Sequence, residues 1–275
     1  MSTVHPLFTA LIDDAALFPP ECASMADALA AHPHHKAAPY AGLVGRFLCP
    51  ASRVGELIEV LAEDRRLAVG LIVDTGLPGL AEAQHLLGAD HRLELEVVEI
   101  APEPEEPLLA AVRAALAALP PVMAFVEIPR RPDWLAALDA VAAAGRGAKL
   151  RTGGRTAALF PTEHQLTSFI TACTERDVPF KCTAGLHRAV RHRDANTGFE
   201  QHGFLNIALA THAAVIGAGR GAVDALIAER DGARLVEAFG QVTHHDAART
   251  RALFVGYGSC SILEPVHDLS ALGVL

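Results

Sequence analysis

Apolar runs of strand length alternate along this chain with Ala- and Leu-rich stretches of helical length. Leu7–Asp13 reads as the first strand and Met25–His32 as the first helix. Leu43–Cys49 is followed by a helical stretch over Ser52–Ala62, and Leu67–Asp74 by Pro78–Leu87. Leu93–Ile100 leads through an acidic, Pro-rich loop into Leu108–Leu119, Val122–Ile128 precedes Trp134–Ala144, and Ala148–Arg151 precedes Glu163–Cys173. Pro179–Thr183 is a seventh strand, Phe204–Ile216 and Val223–Phe239 read as helices, and Ala252–Tyr257 is an eighth strand. This alternation predicts parallel strands joined by right-handed helical crossovers, in either a closed (β/α)8 barrel or an open doubly wound sheet. The count of eight, and the lack of a Gly-rich nucleotide loop after the first strand, favour a single TIM-type (β/α)8 barrel domain over residues 1–275. Leu186–Arg251 is too long for an ordinary crossover. It is expected as a loop and helical insertion after the seventh strand, covering one end of the barrel.

In a barrel strand alternate residues face the lumen, and functional groups gather at the C-terminal ends. That period puts Lys149 and Arg151 on one face of the sixth strand, and Lys181 and Thr183 on one face of the seventh. Glu127 ends the fifth on the face of Met123 and Phe125, while Glu94, Glu96 and Val98 share a face of the fourth. Asp74 ends the third strand, Arg46 lies in the second, and Asp13-Asp14 end the first. The resulting set opposes four cations (Arg46, Lys149, Arg151, Lys181) to four carboxylates (Asp14, Asp74, Glu96, Glu127). Buried charge persists only when paired, so the set reads as one polar site at the barrel mouth.

Composition sharpens this picture at one point. Of 23 basic residues only three are lysines, and two of them occupy matching places after apolar strands. They are Lys149 in Ala148-Lys149-Leu150-Arg151-Thr152-Gly153-Gly154 and Lys181 in Phe180-Lys181-Cys182-Thr183-Ala184-Gly185. A guanidinium stays protonated, whereas a lysine that is desolvated or crowded by cations can lose its proton and attack a carbonyl. Gly153-Gly154 and Gly256-Tyr257-Gly258-Ser259 fall where barrels bind phosphate through backbone amides, although ordinary turns also use glycines.

In their order along the chain these segments resemble class I (Schiff-base) aldolase barrels of the deoxyribose-phosphate aldolase type. Leu11-Ile12-Asp13-Asp14-Ala15-Ala16-Leu17-Phe18-Pro19 is similar to that family's first-strand I-D-H-T-x-L-K-P, with Asp14 at the histidine and Phe18 at the lysine. Phe47-Leu48-Cys49-Pro50 resembles its V-x-P, Glu94-Leu95-Glu96-Val97-Val98 its E-I-D-x-V, and Phe125-Val126-Glu127 its I-x-E. Lys149-Leu150-Arg151-Thr152-Gly153 resembles K-T-S-T-G, and Lys181-Cys182-Thr183-Ala184-Gly185 resembles K-A-S-G-G. Gly258-Ser259 echoes the eighth-strand G-x-S. The likeness covers the first two thirds of the chain and the last strand, and only the two Lys motifs are specific. It implies Lys149 as the imine former, Lys181 as the cation that keeps it neutral, and Glu96 in the proton relay. Arg151 stands where the family has a small serine, which adds a guanidinium to the lumen, and Leu186–Arg251 has no counterpart.

The remaining candidates are weaker. His187 and His202 fall in the loop over the predicted site, where an imidazole can serve as an acid–base group or simply hold structure. His32, His34 and His35 with Lys36 read as a solvent-exposed loop, so no metal site is expected there or elsewhere. Arg188, Arg191 and Arg193 either greet an anion or form a solvated stretch, and His244-His245-Asp246 reads as a helix start. A formal charge of −9 argues against nucleic acid or an anionic membrane as partner. No signal peptide is evident, and the most apolar stretch, Phe204–Gly219, is broken by polar residues and too short to span a bilayer. Five widely spaced cysteines without a CxxC pair fit reduced thiols in a cytoplasmic protein.

The expected activity is an aldolase-like lyase acting through a Lys149 imine on a small anionic carbonyl metabolite, with no cofactor. Lys149, Lys181, Glu96, Glu127 and His187 would carry the chemistry. Asp14, Arg46, Asp74, Arg151, Thr183, Gly153, Gly154, Gly258, Ser259 and His202 would hold the substrate. Two alternatives stay open: an enolising isomerase or lyase that uses Lys and Arg electrostatics without an imine, and a non-catalytic anion-binding barrel. A homo-oligomer is compatible with all three.

Overall fold

The computed structural model describes residues 4–103 and 105–275. Eight parallel strands close into a barrel: β1 (Ile12–Asp14), β2 (Val44–Pro50), β3 (Leu67–Val73), β4 (Leu93–Ile100), β5 (Met123–Glu127), β6 (Gly147–Arg151), β7 (Phe180–Thr183) and β10 (Phe254–Ser259). A two-stranded antiparallel hairpin, β8 (His192–Arg193) and β9 (Glu200–Gln201), lies in the loop after β7. Helices α1 (Met25–Ala37), α2 (Val54–Val60), α3 (Gly76–Ala89), α4 (Leu108–Ala118), α5 (Trp134–Ala143) and α6 (Glu163–Glu175) follow β1 to β6 in turn. Between β9 and β10 come α7 (Phe204–Val215), α8 (Arg220–Ala228), α9 (Gly232–Phe239) and α10 (His244–Leu253), and α11 (Leu263–Ala271) ends the chain. Among the described residues no helix is long and apolar enough to cross a membrane.

Strand phase divides the side chains into two environments. Phe47, Cys49, Val98, Ile100, Val126, Ala148, Leu150, Phe180 and Cys182 point outward into a continuous apolar layer against the helices. Each fully buried Leu, Ile or Phe there contributes about 1.5–3 kcal/mol. The lower lumen is filled by Leu48, Val97 and Phe125, all buried. Glycines face them: a Cβ on Gly70 would come within 2.5 Å of Leu48 Cδ2, and one on Gly147 would strike the Phe125 ring. Small residues opposite large ones thus close the lumen as a packed core, as barrels of eight strands require.

Several elements depart from the periodic expectation, each for a local reason. Leu7 and Phe8 belong to a 3-10 turn over Pro6–Phe8 rather than to β1, which is only three residues long. Helix α1 runs through Pro33 to Ala37, so His32, His34, His35 and Lys36 are helical rather than in a loop. Its start is fixed by Ser24, whose hydroxyl accepts the Asp27 amide at 3.1 Å. The stretch expected as one helix over Val223–Phe239 is two, α8 and α9. The buried Asn206 side chain donates to the carbonyls of Leu226 and Glu229, both at 2.8 Å, and Asp231 caps the next helix by accepting the Ala233 amide at 2.9 Å. The expected cap over one end is divided as well. The hairpin loop is tied to the start of α6 by Arg191–Glu163 at 2.7 Å and by the Phe160 and Phe199 rings, whereas α7 and α8 pack alongside α6 in the outer layer.

Candidate active site

The two matching lysines are direct register partners on adjacent strands, β6 and β7, and both side chains enter the lumen. Lys181 is wholly buried and hydrogen-bonds to Asp13 and Glu99 at once. Lys149 Nζ lies 3.2 Å from Glu99 Oε2 and 3.7 Å from Glu127 Oε2. The other oxygen of Glu127 accepts from Arg151 Nε at 3.2 Å. Asp13, Lys181, Glu99, Lys149, Glu127 and Arg151 therefore form a row of contacts that alternates in sign across the lumen. Side-chain exposure rises along this row, from 0% at Lys181 through 5% at Lys149 and 12% at Glu127 to 43% at Arg151. The row leads from a sealed interior to open solvent.

Burial acts on these groups against their charges, and pairing reverses it. Desolvation alone would raise the Glu99 carboxyl, but Lys181 first and Lys149 second hold it down to about 2. Burial likewise opposes the Lys181 ammonium, yet Asp13 and Glu99 together hold it above the usual lysine range. Lys181 is thus a fixed cation. The aldolase resemblance implies that Lys181 keeps Lys149 neutral by repulsion. In the resting protein Glu99 stands between the two and Glu127 also meets Lys149, so the Lys149 amine is paired rather than crowded by like charge.

Two carboxylates of the row, Asp13 and Glu99, are not among the four that strand phase nominates, and three of those four, Asp14, Glu96 and Asp74, lie elsewhere. Asp13, not Asp14, faces the lumen; Asp14 turns outward to His32 Nδ1 on α1 at 2.8 Å. Glu99 replaces Glu96 beside the lysines because β4 carries a bulge where Leu95 pairs with Val69 and Val97 with Gly70. Glu96 sits at that irregularity, near the entering end of the strand, and is bound by Arg46 Nε at 2.9 Å. The Arg46 backbone amide also donates to Asp13 at 2.7 Å, so Arg46 closes the lower end of the site rather than its mouth. Asp74 directly follows β3, and its two oxygens accept from the Ser52 amide and hydroxyl at 3.0 and 2.5 Å, tying down the turn before α2. The lumen still balances four cations with four carboxylates, with Asp13 and Glu99 in place of Asp14 and Asp74.

Around the mouth, Thr183 is the register partner of both Arg151 and Gly258. Thr152 donates its amide and hydroxyl to Thr183 and its hydroxyl also to Ala184. Gly153 presses against Gly185 so closely that a Cβ on it would lie 2.6 Å from Gly185 Cα, whereas Gly154 is exposed next to Leu159. Ser259 donates to the Ser261 carbonyl at 2.7 Å. His187 Nδ1 meets Glu264 Oε2 at 2.9 Å, on the rim formed by β7 and β10. His202 is buried at the foot of the hairpin, between the Pro161 carbonyl at 2.7 Å and Arg191. Burial lowers its pKa, and it anchors the loop rather than reaching toward Lys149. Among the described residues no three His, Cys, Asp or Glu side chains are grouped to hold a metal ion.

The fold and the row of charges define a TIM-type (β/α)8 barrel with a polar site at the C-terminal ends of its strands. No family model and no curated protein matches the chain. Two solved structures are similar at low identity. Mandelate oxidase with benzoyl-formic acid is 13% identical with a TM-score of 0.42, over 90% of this chain and 83% of that one. A variant of mandelate oxidase with 4-Br-2-hydroxy-methylphenylacetate is 15% identical with a TM-score of 0.42, over 89% and 78%. At this distance neither likeness bears on residues or reaction.

Proposed function

We propose that this barrel makes or breaks a carbon–carbon bond in a small anionic carbonyl compound, with Lys149 as the amine that forms an imine. The observation that carries the reading is the pairing of Lys149 with Lys181 in register, both bound to one buried carboxylate, Glu99. Lys181 is enclosed and fixed as a cation, so it serves charge and position. Lys149 stands one step nearer the mouth, beside the only partly buried Glu127. An incoming carboxylate or phosphate competes for Arg151, and its arrival leaves Glu127 free to accept the Lys149 proton. The neutral amine then adds to the carbonyl carbon, water leaves, and the iminium formed draws electrons from the bond to be cleaved. Glu99, bridging both amines, stays ionised and holds Lys149 beside the fixed charge of Lys181. This arrangement is of the kind the resemblance to deoxyribose-phosphate aldolase-type barrels implies, with Glu99 beside the lysines in place of Glu96.

Borohydride reduction in the presence of a small carbonyl compound, followed by peptide mass spectrometry, tests it. The adduct is expected on Lys149, and Lys149→Arg should abolish it, because guanidinium keeps the charge but is no nucleophile. The ion pairing of both lysines favours a second reading, in which Lys149, Lys181 and Arg151 stabilise an enolate or merely hold an anion. On that reading no adduct forms and Lys149→Arg retains anion binding.

A further inference from the structure

A second cluster stands at the same end of the barrel, outside the row of charges. Cys260 directly follows β10, His187 lies in the loop after the neighbouring β7, and Glu264 is in the first turn of α11. His187 Nδ1 lies 2.9 Å from Glu264 Oε2 and 4.0 Å from Cys260 Sγ. Both Cys260 and His187 are partly exposed, so a small reagent can reach them. We propose that Cys260, His187 and Glu264 form a reactive-thiol site at the barrel rim, at which the thiol attacks soft electrophiles, small alkylating agents and peroxides.

The chemistry follows from the shared nitrogen. The thiol and the carboxylate converge on one atom of the ring, whose Nδ1–H is donated to Glu264; the proton lost by Sγ is taken up through solvent at the other ring nitrogen, and the imidazolium Nδ1–H is left between two anions. The arrangement differs from a catalytic triad, in which the acid orients the ring from its far nitrogen; here the carboxylate stabilises the charge that the thiol creates. Cys260 raises the His187 pKa most and Glu264 adds to it, overcoming the opposing effect of burial. The nearest other charges are spoken for: Arg188 pairs with Asp268 at 2.9 Å, and the second Asp268 oxygen accepts the Ala189 amide.

With an alkyl iodide the sulfur attacks carbon, the C–S bond forms as iodide leaves, and the thiol proton passes to His187 and then to water. With hydrogen peroxide the sulfur takes one oxygen and is oxidised to a sulfenic acid, the O–O bond breaks, and the second oxygen leaves as water with the proton from His187. The other thiols differ. Cys49, Cys173 and Cys182 are buried, and burial pushes their pKa values up, that of Cys49 to about 12. Cys22 is exposed and serves as an internal reference.

The test is residue-resolved alkylation of the full chain by iodoacetamide at pH 7, read by peptide mass spectrometry. Cys260 is expected to react about tenfold faster than Cys22. His187→Gln should bring it to the rate of Cys22, and Glu264→Gln, a change at a half-exposed side chain that leaves the fold intact, should slow it about threefold. Peroxide followed by a sulfenic-acid trap should mark Cys260 first. A Cys260 rate no greater than that of Cys22, or one unchanged by Glu264→Gln, overturns the proposal. The result is independent of the imine, since Lys149→Arg leaves the expected labelling untouched.

Discussion

Glu99 is the residue on which both amines depend, and its charge sets an acid limit on the fold. Its carboxyl is held at about 2 when folded, against an ordinary value of 4.5. The stabilisation is therefore complete above about pH 4.5 and is lost as the pH falls through about 2; it is on the order of 3 kcal/mol. Urea midpoints measured from pH 7 to pH 2 should fall steeply in the native chain. They should fall less steeply in Glu99→Gln, which starts lower because Lys149 and Lys181 have lost their shared partner. At this scale the sequence is legible where a strand keeps an unbroken two-residue phase. Lys149, Arg151, Lys181 and Glu127 follow simple alternation and lie together. Asp13 and Asp14 are adjacent identical residues in a three-residue strand, and nothing in their own chemistry says which turns inward. The choice is made by His32 on one side and Lys181 on the other, residues far away in sequence.

An element can mislead while its boundaries are right. Strand β4 spans Leu93–Ile100 as its apolar pattern predicts, and Glu96 does lean toward the lumen, where Arg46 meets it. The bulge then inserts one residue and moves every later side chain to the opposite face, which brings Glu99 in and sends Val98 out. Period-two reasoning has no means of anticipating an irregularity that depends on the neighbouring strand. The loops after β6 and β7 give a firmer prediction, because their contact at Gly153 and Gly185 leaves no room for a side chain. Gly153→Ala must part the two backbones and should cost about 1–3 kcal/mol. That appears as a melting temperature lower by several degrees. Gly154→Ala, at an exposed position beside a movable leucine, should cost less.

For the whole molecule, the eight-strand alternation was enough to predict a closed barrel, while the helices between β9 and β10 resisted reading because their breaks are set by partners such as Asn206. Closure itself joins chain ends: β10 pairs with β1 on one side and β7 on the other. It presents Gly256 and Gly258 between Lys181 and Asp13, so those two side chains meet across it. The pair can leave water only after the last strand has docked, when a loop spanning most of the sequence has been closed. Its attraction is then absent from the rate-limiting barrier to folding and present in full in the barrier to unfolding. Asp13→Asn should leave the refolding rate nearly unchanged and speed unfolding roughly a hundredfold or more, for a loss of about 3–5 kcal/mol. Stopped-flow chevrons of the two proteins would show it as a shift of the unfolding limb alone. The charges that furnish the site would then also act as a kinetic latch, setting how long the barrel stays shut.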